Sequence, residues 1–274
     1  MDTNNSILLI DPSFDPATAI TCSLLVKVGL NNFSYAIINQ QTKQVNAVYD
    51  EQECENGVAK FAERLQTDGY LGLPYQEIKL AMHTENRIAI PNELYDEAQL
   101  EVHSQYFASN EDTDLYVQSN NHFGFTTIFT LPESSSNALK DFKAEKKYPQ
   151  SAGLLALAQN LGPTALMLDF TVGTCSVLYV KNEQVIFQQT YEIENIEEFN
   201  YYLLLLINQL HMETKTTPIY LSGIVHQNDE KYTCLKQYFN EINFTSVADE
   251  LDQQILDDMP AHYYSSLLAL NQCV

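Results

Sequence analysis

A pattern of strand, polar loop, strand, turn, strand and helix occurs twice in this sequence, and it constrains the fold more strongly than any other feature. In the later occurrence, alternation and β-branched residues predict strands over Ala165–Phe170, Cys175–Lys181 and Gln184–Glu192. A helix over Asn195–Leu210 is predicted next, with Asn195 as its N-cap. A period of roughly half the chain is too long for a solenoid and indicates two related subdomains.

The earlier occurrence of the pattern spans Leu24–Asp50. When it is laid on the later one at a constant offset, Lys27 falls on Asp169 and Ser34 falls on Ser176. The two stretches share the order of their elements rather than residue identity. We therefore expect two sibling lobes that face a common cleft, with Lys27 and Asp169 at equivalent places.

The remaining elements alternate between strand and helix through short polar turns, which argues for α/β layering. Further strands are predicted over Ile7–Ile10, Ile78–His83, Arg87–Pro91, Asp114–Gln118, Gly124–Leu131, Pro218–Val225 and Phe244–Val247. Further helices are predicted over Cys54–Gln66, Glu93–Phe107, Ala152–Gln159, Glu230–Asn240 and Ala261–Leu270. The lysine-rich segment Asn137–Tyr148 is predicted to be a helix or irregular. We expect a first lobe over residues 1–150, with an inserted segment near 84–131, and a second lobe over 151–274.

The balance of charge restricts the partners that this chain can have. It carries 14 Lys and Arg residues against 36 Asp and Glu residues, a formal net charge of −22. A field of that sign repels phosphate backbones and anionic lipids, so nucleic-acid binding is not expected. The charge indicates either simple solubility or a basic protein partner. Lys140, Lys143, Lys146 and Lys147 form a local basic cluster, interpreted as a solvated helix face or as a docking site for an acidic surface.

Several functional classes lack their sequence signals. The longest apolar run, Tyr201–Ile207, is too short to span a bilayer, and the N-terminal region does not resemble a secretory signal. The five cysteines form no CxxC pair, which disfavours a disulfide framework or a zinc site. The histidines are scattered without metal-ligand spacing, and no nucleophile elbow, Walker loop or dinucleotide fingerprint is present. These features predict a cytoplasmic protein.

Three small-residue loops follow predicted strands and are the candidate binding sites. The most complete combines Asp169 with Gly173 and Thr174. Backbone N–H groups can approach a phosphate only where side chains are small, and a carboxylate can hold a metal ion or its waters. A loop of small residues behind a single carboxylate is compatible with both of these contacts.

The other two loops are less complete. The equivalent loop in the first lobe begins with Lys27 in place of a carboxylate and keeps Gly29. The third candidate is the end of a strand at Ser222 and Gly223. Asp169 is interpreted either as a loop cap or as a metal-side carboxylate. Lys27 is interpreted as an exposed strand-end residue, as a charge reversal that spoils magnesium binding, or as a group that meets a phosphate directly.

The paired lobes and the three loops resemble the actin, heat-shock chaperone and sugar-kinase superfamily. More narrowly, the chain is similar to an uncharacterised Bacteroidetes family described as having an actin-like ATPase fold. The resemblance implies two duplicated actin-like, ribonuclease H-like lobes, each a mixed sheet flanked by helices, with ATP and magnesium held between them. It also implies that Lys27, Gly29, Asp169, Gly173, Thr174, Ser222 and Gly223 would line the nucleotide site.

Three functions follow from this resemblance. The first is a protein degenerate in nucleotide binding that acts through protein–protein interaction, because the first loop lacks its carboxylate at Lys27. The second is an active or nucleotide-sensing magnesium-dependent ATPase that uses Asp169, Gly173, Thr174 and Gly223. The third is a sugar- or acetate-kinase-like transferase, which the missing first-loop carboxylate disfavours. An interlobe pocket filled by Lys27 or Phe170 would favour the first, and an open one would favour the second.

Overall fold

Two mixed β-sheets with helices on their outer faces form the architecture. The computed structural model describes residues 5–107, 114–131, 139, 142–247 and 249–273. The strands are β1 (Ser6–Ile10), β2 (Cys22–Val28), β3 (Phe33–Asn39), β4 (Val45–Glu51), β5 (Glu77–Met82), β6 (Arg87–Pro91), β7 (Leu115–Asn120), β8 (Phe125–Thr130), β9 (Lys146–Pro149), β10 (Ala165–Thr171), β11 (Thr174–Lys181), β12 (Gln184–Glu192), β13 (Ile219–Gly223) and β14 (Ile242–Phe244). The α-helices are α1 (Gly57–Thr67), α2 (Leu100–Ser104), α3 (Ala152–Ala158), α4 (Ile196–Gln209), α5 (Glu230–Lys236) and α6 (Ser265–Leu268).

The first sheet has the order β1-β4-β3-β2-β5-β9, and the second has the order β12-β11-β10-β13-β14. In each sheet a central strand, β2 or β10, pairs antiparallel with the strand that follows it and parallel with a later strand. The predicted fold class is confirmed, because the structure has two lobes of this kind. Here a lobe means one of these sheets together with the helices on its outer face.

The strand registers place Lys27 and Asp169 at corresponding positions. Lys27 of β2 lies opposite Ser34 of β3, and Asp169 of β10 lies opposite Ser176 of β11. Side chains along a strand alternate between its two faces, so an equal register also fixes an equal face. Each residue therefore projects from the inner face of its own sheet toward the other lobe.

The two lobes also share an irregularity in strand pairing, a shift in register within each hairpin. The pairing of β3 with β4 shifts between Ile37 and Ile38, and the pairing of β11 with β12 shifts between Tyr179 and Val180. These are the same positions under the offset that aligns the two stretches in the sequence. A bulge strengthens local twist, so both hairpins curve at the same point of their sheets.

Alternation along the central strands divides the interior into three apolar cores. One core lies between the first sheet and α1, and another lies between the second sheet and the pair α4 and α5. The third lies between the two sheets, where the inner faces meet α3 and α6. All seven residues of α3 are buried, which explains why its sequence consists only of alanine, leucine and glycine.

Polar caps fix the starts of the two long outer helices. The Asn56 side chain accepts a hydrogen bond from the Ala59 amide at the start of α1, at 2.9 Å. Asn195 does the same for the Glu198 amide at the start of α4, also at 2.9 Å, so the predicted cap is confirmed. The nearly all-apolar sequence of α4 predicts a helix buried on all sides, but Tyr201 is 62 % exposed, so that expectation was wrong.

A third sheet, with three strands ordered β6-β8-β7, is formed by residues between β5 and β9. That this segment is an insertion into the first lobe stays a prediction. The strands of the sheet are antiparallel, and β6 follows β5 after only four residues. The short connection places the first residue of β6, Arg87, beside the cleft between the lobes.

Several predicted boundaries need correction. The predicted helix Glu93–Phe107 forms only a 3₁₀ turn at Glu97–Gln99 followed by α2, because few of its side chains find an apolar surface. The last strand is β14 rather than Phe244–Val247. The predicted helix Ala261–Leu270 is replaced by α6 and a 3₁₀ turn at Ala269–Gln272.

The lysine-rich segment Asn137–Tyr148, predicted to be a helix or irregular, is irregular at 142–145, and the prediction is wrong from Lys146 onward. Lys146–Pro149 is a strand that runs parallel to β5. Lys146 forms an ion pair with Glu77 at 3.0 Å, and the Lys147 ammonium lies over the Tyr116 ring. Lys140 lies outside the described residues. Strand pairing with β5 outweighed the local helix propensity of this segment.

The described residues include no helix that is long and apolar enough to cross a membrane. The boundary between the lobes at residue 150 stays a prediction.

The close approach of α3 to the C-terminal region generates a stability prediction. A Cβ atom on Gly153 would lie 1.9 Å from the Ser266 carbonyl oxygen, a backbone atom that cannot swing aside. We expect Gly153→Ala to lower the free energy of unfolding by about 1–3 kcal/mol, as overpacking does, despite the better helix propensity of alanine. Chemical denaturation measures this difference.

Gly162→Ala is the matched control. Gly162 is exposed, and nothing lies within 4 Å of the position that a Cβ atom on it would take. This variant is expected to stay within about 0.5 kcal/mol of the wild type. Equal effects of the two substitutions would contradict the packing argument.

Candidate functional site

A buried ion pair joins the two lobes at the centre of the cleft. The Lys27 ammonium lies 2.5 Å from the Asp169 Oδ2 atom, and the two residues are 6 % and 3 % exposed. Each comes from the inner face of its own central strand, β2 or β10. The predicted site residues Lys27 and Asp169 are therefore brought into direct contact.

Two serines complete the hydrogen bonds of this pair. Ser222 donates to Asp169 Oδ1 at 2.7 Å, and Ser266 donates to Asp169 Oδ2 at 2.8 Å. Lys27 Nζ also donates to Ser266 Oγ at 2.7 Å. A buried charge is tolerated only when it is paired and hydrogen-bonded, and here both charges meet that condition. We call Lys27, Asp169, Ser222 and Ser266 the interlobe latch.

The two predicted phosphate loops hydrogen-bond to each other across the cleft. Asn32 Nδ2 donates to Thr171 Oγ1 at 3.3 Å, and Asn31 Nδ2 donates to the Val172 carbonyl at 3.4 Å. The Val172 amide donates to Gln52 Oε1 at 3.2 Å. The polar groups that would face a phosphate in an open cleft face the opposite loop instead.

The glycines of these loops have structural uses in this arrangement. A Cβ atom on Gly29 would lie 2.7 Å from the Asn32 side chain, and one on Gly173 would lie 3.0 Å from the Asn31 amide nitrogen. Gly173 has a φ of +81°, which favours glycine whatever surrounds it. Gly173 thus lets the two loops approach each other, and Gly29 leaves room for the Asn32 side chain of its own loop. Thr174, the last residue of the predicted loop, is buried and shares a hydrogen bond with Thr171.

The third predicted loop is also closed by backbone contacts. Gly223 has a φ of +77°, and a Cβ atom on it would lie 2.0 Å from the Phe170 carbonyl oxygen. The Gly223 amide donates to the His262 carbonyl at 2.9 Å. The N–H group predicted to approach a nucleotide is therefore already paired within the chain.

The space left beside the latch is small. A cavity of about 30 Å³ is lined by Lys27, Asp169, Phe170 and Gly223, together with Asp50. Such a volume holds a water molecule or two, whereas sites for nucleotide-sized ligands enclose roughly 300–1,000 Å³. In this arrangement the space beside the latch is too small for ATP. The described residues contain no cluster of three or more His, Cys, Asp or Glu suited to a metal ion.

Asp50 is a second carboxylate at the site that sequence reasoning missed. It lies on β4 opposite Ser34, is 8 % exposed, and accepts a hydrogen bond from Gln52 Nε2 at 2.8 Å. Burial raises the pKa of Asp50 from its ordinary value of 3.8 to about 6, against the opposing effects of the Gln52 hydrogen bond and the Lys27 charge. Asp50 follows the alternating inner-face pattern of β4, which is the sequence signal that could have identified it.

Ser266 was also missed, and no local signal marks it. It lies 239 residues after Lys27 in the chain, and only the packing of α6 between the sheets brings it to the latch. Its side chain links the C-terminal region to both charges of the pair.

The latch generates a prediction about coupled stability. Lys27→Met or Asp169→Leu alone leaves one unpaired buried charge, so we expect each to cost about 3–5 kcal/mol of unfolding free energy. The double variant removes both charges, and its loss is expected to be much smaller than the sum of the two single losses. Urea denaturation of the four proteins gives the coupling energy.

Lys60 and Glu63 on α1 offer a matched exposed pair, with a separation of 3.0 Å and side chains that are 33 % and 64 % exposed. Solvent screens this pair, so its coupling energy is expected to stay below about 1 kcal/mol. A latch coupling no larger than that of Lys60 and Glu63 would contradict the buried ion pair.

Asp50 generates a prediction about pH. Its folded pKa of about 6 exceeds its ordinary value of 3.8, so the native state binds more protons than the unfolded state between those two values. Its contribution to stability is present below about pH 4 and is lost as the pH rises through about 6. We expect Asp50→Asn to gain roughly 1–3 kcal/mol relative to the wild type between pH 4 and pH 7.5. An equal difference at both pH values in chemical denaturation would refute this.

Comparisons with known proteins agree with this architecture. A Bacteroides thetaiotaomicron protein with an actin-like ATPase fold and unknown function superimposes with a TM-score of 0.74 at 16 % identity, covering 95 % of this chain and 99 % of that one. The PilM–PilN type IV pilus biogenesis complex matches with a TM-score of 0.61 at 11 % identity, covering 91 % and 97 %. The cytoplasmic domain of EpsL, an inner-membrane component of the Vibrio cholerae type II secretion system, matches with a TM-score of 0.51 at 12 % identity, covering 89 % and 98 %.

These likenesses establish the fold, and they confirm the resemblance to actin-like ATPase fold proteins inferred from the sequence. Among curated proteins none matches the chain. Residues 11–242 match the family model described as "Protein of unknown function (DUF3822)". Since that match covers more than half of the 274 residues, the chain belongs to this family.

Proposed function

We propose that this chain is an actin-like fold protein whose nucleotide site is degenerate and which acts by binding another protein. The observation that carries the proposal is the 2.5 Å contact between the Lys27 ammonium and Asp169. The Lys27 ammonium places a fixed positive charge against the carboxylate that a magnesium ion would need as its ligand.

The contacts around the latch support the same proposal. In the two predicted phosphate loops, the Asn31 and Asn32 side chains and the Val172 amide are hydrogen-bonded across the cleft. Opening the cleft for a nucleotide would expose these groups and separate two buried charges. That separation costs several kcal/mol, which nucleotide binding would have to supply.

The protein-binding part of the proposal has separate support. Two solved relatives of the fold belong to assemblies, since one structure is the PilM–PilN complex and another is a component of a secretion system. The net charge of −22 favours a partner with a basic surface. We place this interaction in the cytoplasm, a proposal supported by the five cysteines, all of which are free.

The competing function is a magnesium-dependent ATPase or nucleotide sensor. Asp169, Gly173 and Thr174 are retained in the second loop, which is the observation that favours it. It requires Lys27 to leave Asp169 and the two loops to part.

A calorimetric titration separates the two functions. Wild-type protein is titrated with ATP and with ADP at millimolar concentration, each with and without magnesium chloride. We expect no saturable heat, because the latch fills the site. Saturable magnesium-dependent binding that Asp169→Asn abolishes would overturn the proposal. ATP hydrolysis by the wild type that is lost in the same variant would do so as well.

A further inference from the structure

The outer edges of the two sheets differ, although the sheets correspond strand by strand. In the first lobe, β4 carries an additional antiparallel strand, β1, along its outer edge. In the second lobe, the corresponding strand β12 ends the sheet within the described part of the chain. A free strand edge presents unpaired N–H and C=O groups that can pair with another chain.

Hydrogen bonds show which residues of β4 face its added strand. The Asp11 amide donates to the Asn46 carbonyl at 2.8 Å, and the Gln52 amide donates to the Asn5 carbonyl at 3.0 Å. Both N–H and C=O of a residue in an antiparallel strand point to the same side, and the side alternates along the strand. Asn46, Val48, Asp50 and Gln52 thus face β1.

The same reasoning identifies the outward residues of β12. Leu178 lies opposite Gln188. The Gln188 carbonyl accepts a hydrogen bond from the Arg87 guanidinium at 2.9 Å, so it points away from β11. The Ile193 amide donates inward, to the Gly173 carbonyl. Gln188, Thr190 and Glu192 therefore face outward, in the place that Val48, Asp50 and Gln52 hold in the first lobe.

Two adjoining cavities lie along this edge, where β1 lies in the first lobe. A polar cavity of about 320 Å³ reaches from His83 and Gln150 to Thr190. A more apolar cavity of about 670 Å³ is lined by residues that include Ile88, Phe125 and Phe187. Both cavities are bordered by Glu85, Arg87, Gln188 and Gln189. We call this space the β12 groove.

We propose that the β12 groove binds an extended segment of a partner protein, which adds to β12 as an antiparallel strand. The inference rests on the proposed protein-binding function and gives it a location. The chain provides its own precedent, because β1 with the sequence SILLI occupies the corresponding edge of the first sheet. Backbone hydrogen bonds to Gln188, Thr190 and Glu192 would supply the pairing.

The groove also indicates the side chains of that segment. Successive residues of an added strand point to opposite faces, so every second side chain enters the cavity lined by Ile88, Phe125 and Phe187 and should be apolar. Exposed Glu85 and Glu192 border the groove, and the whole chain carries a net charge of −22. The partner segment is therefore apolar at its centre and basic at its flank.

Arg87 shields the edge in the absence of the partner. Its guanidinium bonds to neutral acceptors, the Gln188 carbonyl and the Gln189 Oε1 atom, and the described residues place no carboxylate in an ion pair with it. A charged side chain that caps an edge carbonyl protects a strand from uncontrolled pairing. An incoming N–H group replaces Arg87 at Gln188.

The test uses a phage-displayed library of random twelve-residue peptides selected on the wild-type protein. Selected peptides are synthesised and titrated against wild type, Gln188→Pro and Gln188→Ala. Proline at 188 removes an outward N–H without touching the β11 ladder, whereas alanine keeps that N–H. We expect peptides with an apolar centre and basic flank that lose at least about tenfold in affinity on Gln188→Pro and little on Gln188→Ala.

Hydrogen exchange on the wild type provides a readout independent of the variants. The amides of Gln188, Thr190 and Glu192 are expected to gain protection when a selected peptide binds. Peptides that bind Gln188→Pro as tightly as wild type, without protecting these amides, overturn the groove assignment and leave the protein-binding proposal intact. Failure to select any peptide also overturns the groove assignment. Neither result tests nucleotide binding, which the calorimetric titration measures separately.

Discussion

The two lobes meet at a buried ion pair, in which a lysine of one sheet contacts an aspartate of the other. Lys27 and Asp169 come from separate sheets and lie 142 residues apart in the chain, and each is almost fully removed from solvent. Alone, either charge would cost several kcal/mol in that environment. Together with Ser222 and Ser266 they satisfy each other. The relative position of the two lobes is therefore set by a polar requirement as well as by the apolar core around α3.

Small residues in the cleft serve this closed arrangement. Gly173 lets the two loops lie close together, Gly29 leaves room for the Asn32 side chain, and Gly223 lets its strand end lie against the Phe170 carbonyl. The same backbone permissiveness would let a phosphate approach in a protein with an open cleft. A glycine-containing loop thus indicates that another group lies close to its backbone. The residue on the other side of the cleft determines whether that group belongs to a ligand or to the protein itself. In this chain the group opposite Asp169 is the ammonium of Lys27.

The sequence was sufficient for the parts of the fold that repeat a strong local pattern. The strands β10, β11 and β12 follow from alternation, and the N-cap at Asn195 follows from its capping residue. The equivalence of Lys27 with Asp169 follows from a constant offset. Segments decided by distant contacts did not follow. Lys146 lies in a strand because β5 offers it a partner, and Ser266 reaches the site only through the packing of α6. The offset between the two stretches predicted that Lys27 and Asp169 hold equivalent positions in their lobes. It gave no indication that Ser266 hydrogen-bonds to both of them.

The distance along the chain between the members of the latch has a consequence for biosynthesis. Ser266 follows Lys27 by 239 residues, which a ribosome translating 5–20 residues per second needs roughly 10–50 s to add. The first sheet is complete in the chain at Pro149, and Asp169 follows 20 residues later, but Ser266 is added only 97 residues after Asp169. Until then the ion pair lacks the hydroxyl that bonds to both of its members, and the inner faces of the sheets lack α6. The complete set of interlobe hydrogen bonds is therefore available only at the end of synthesis.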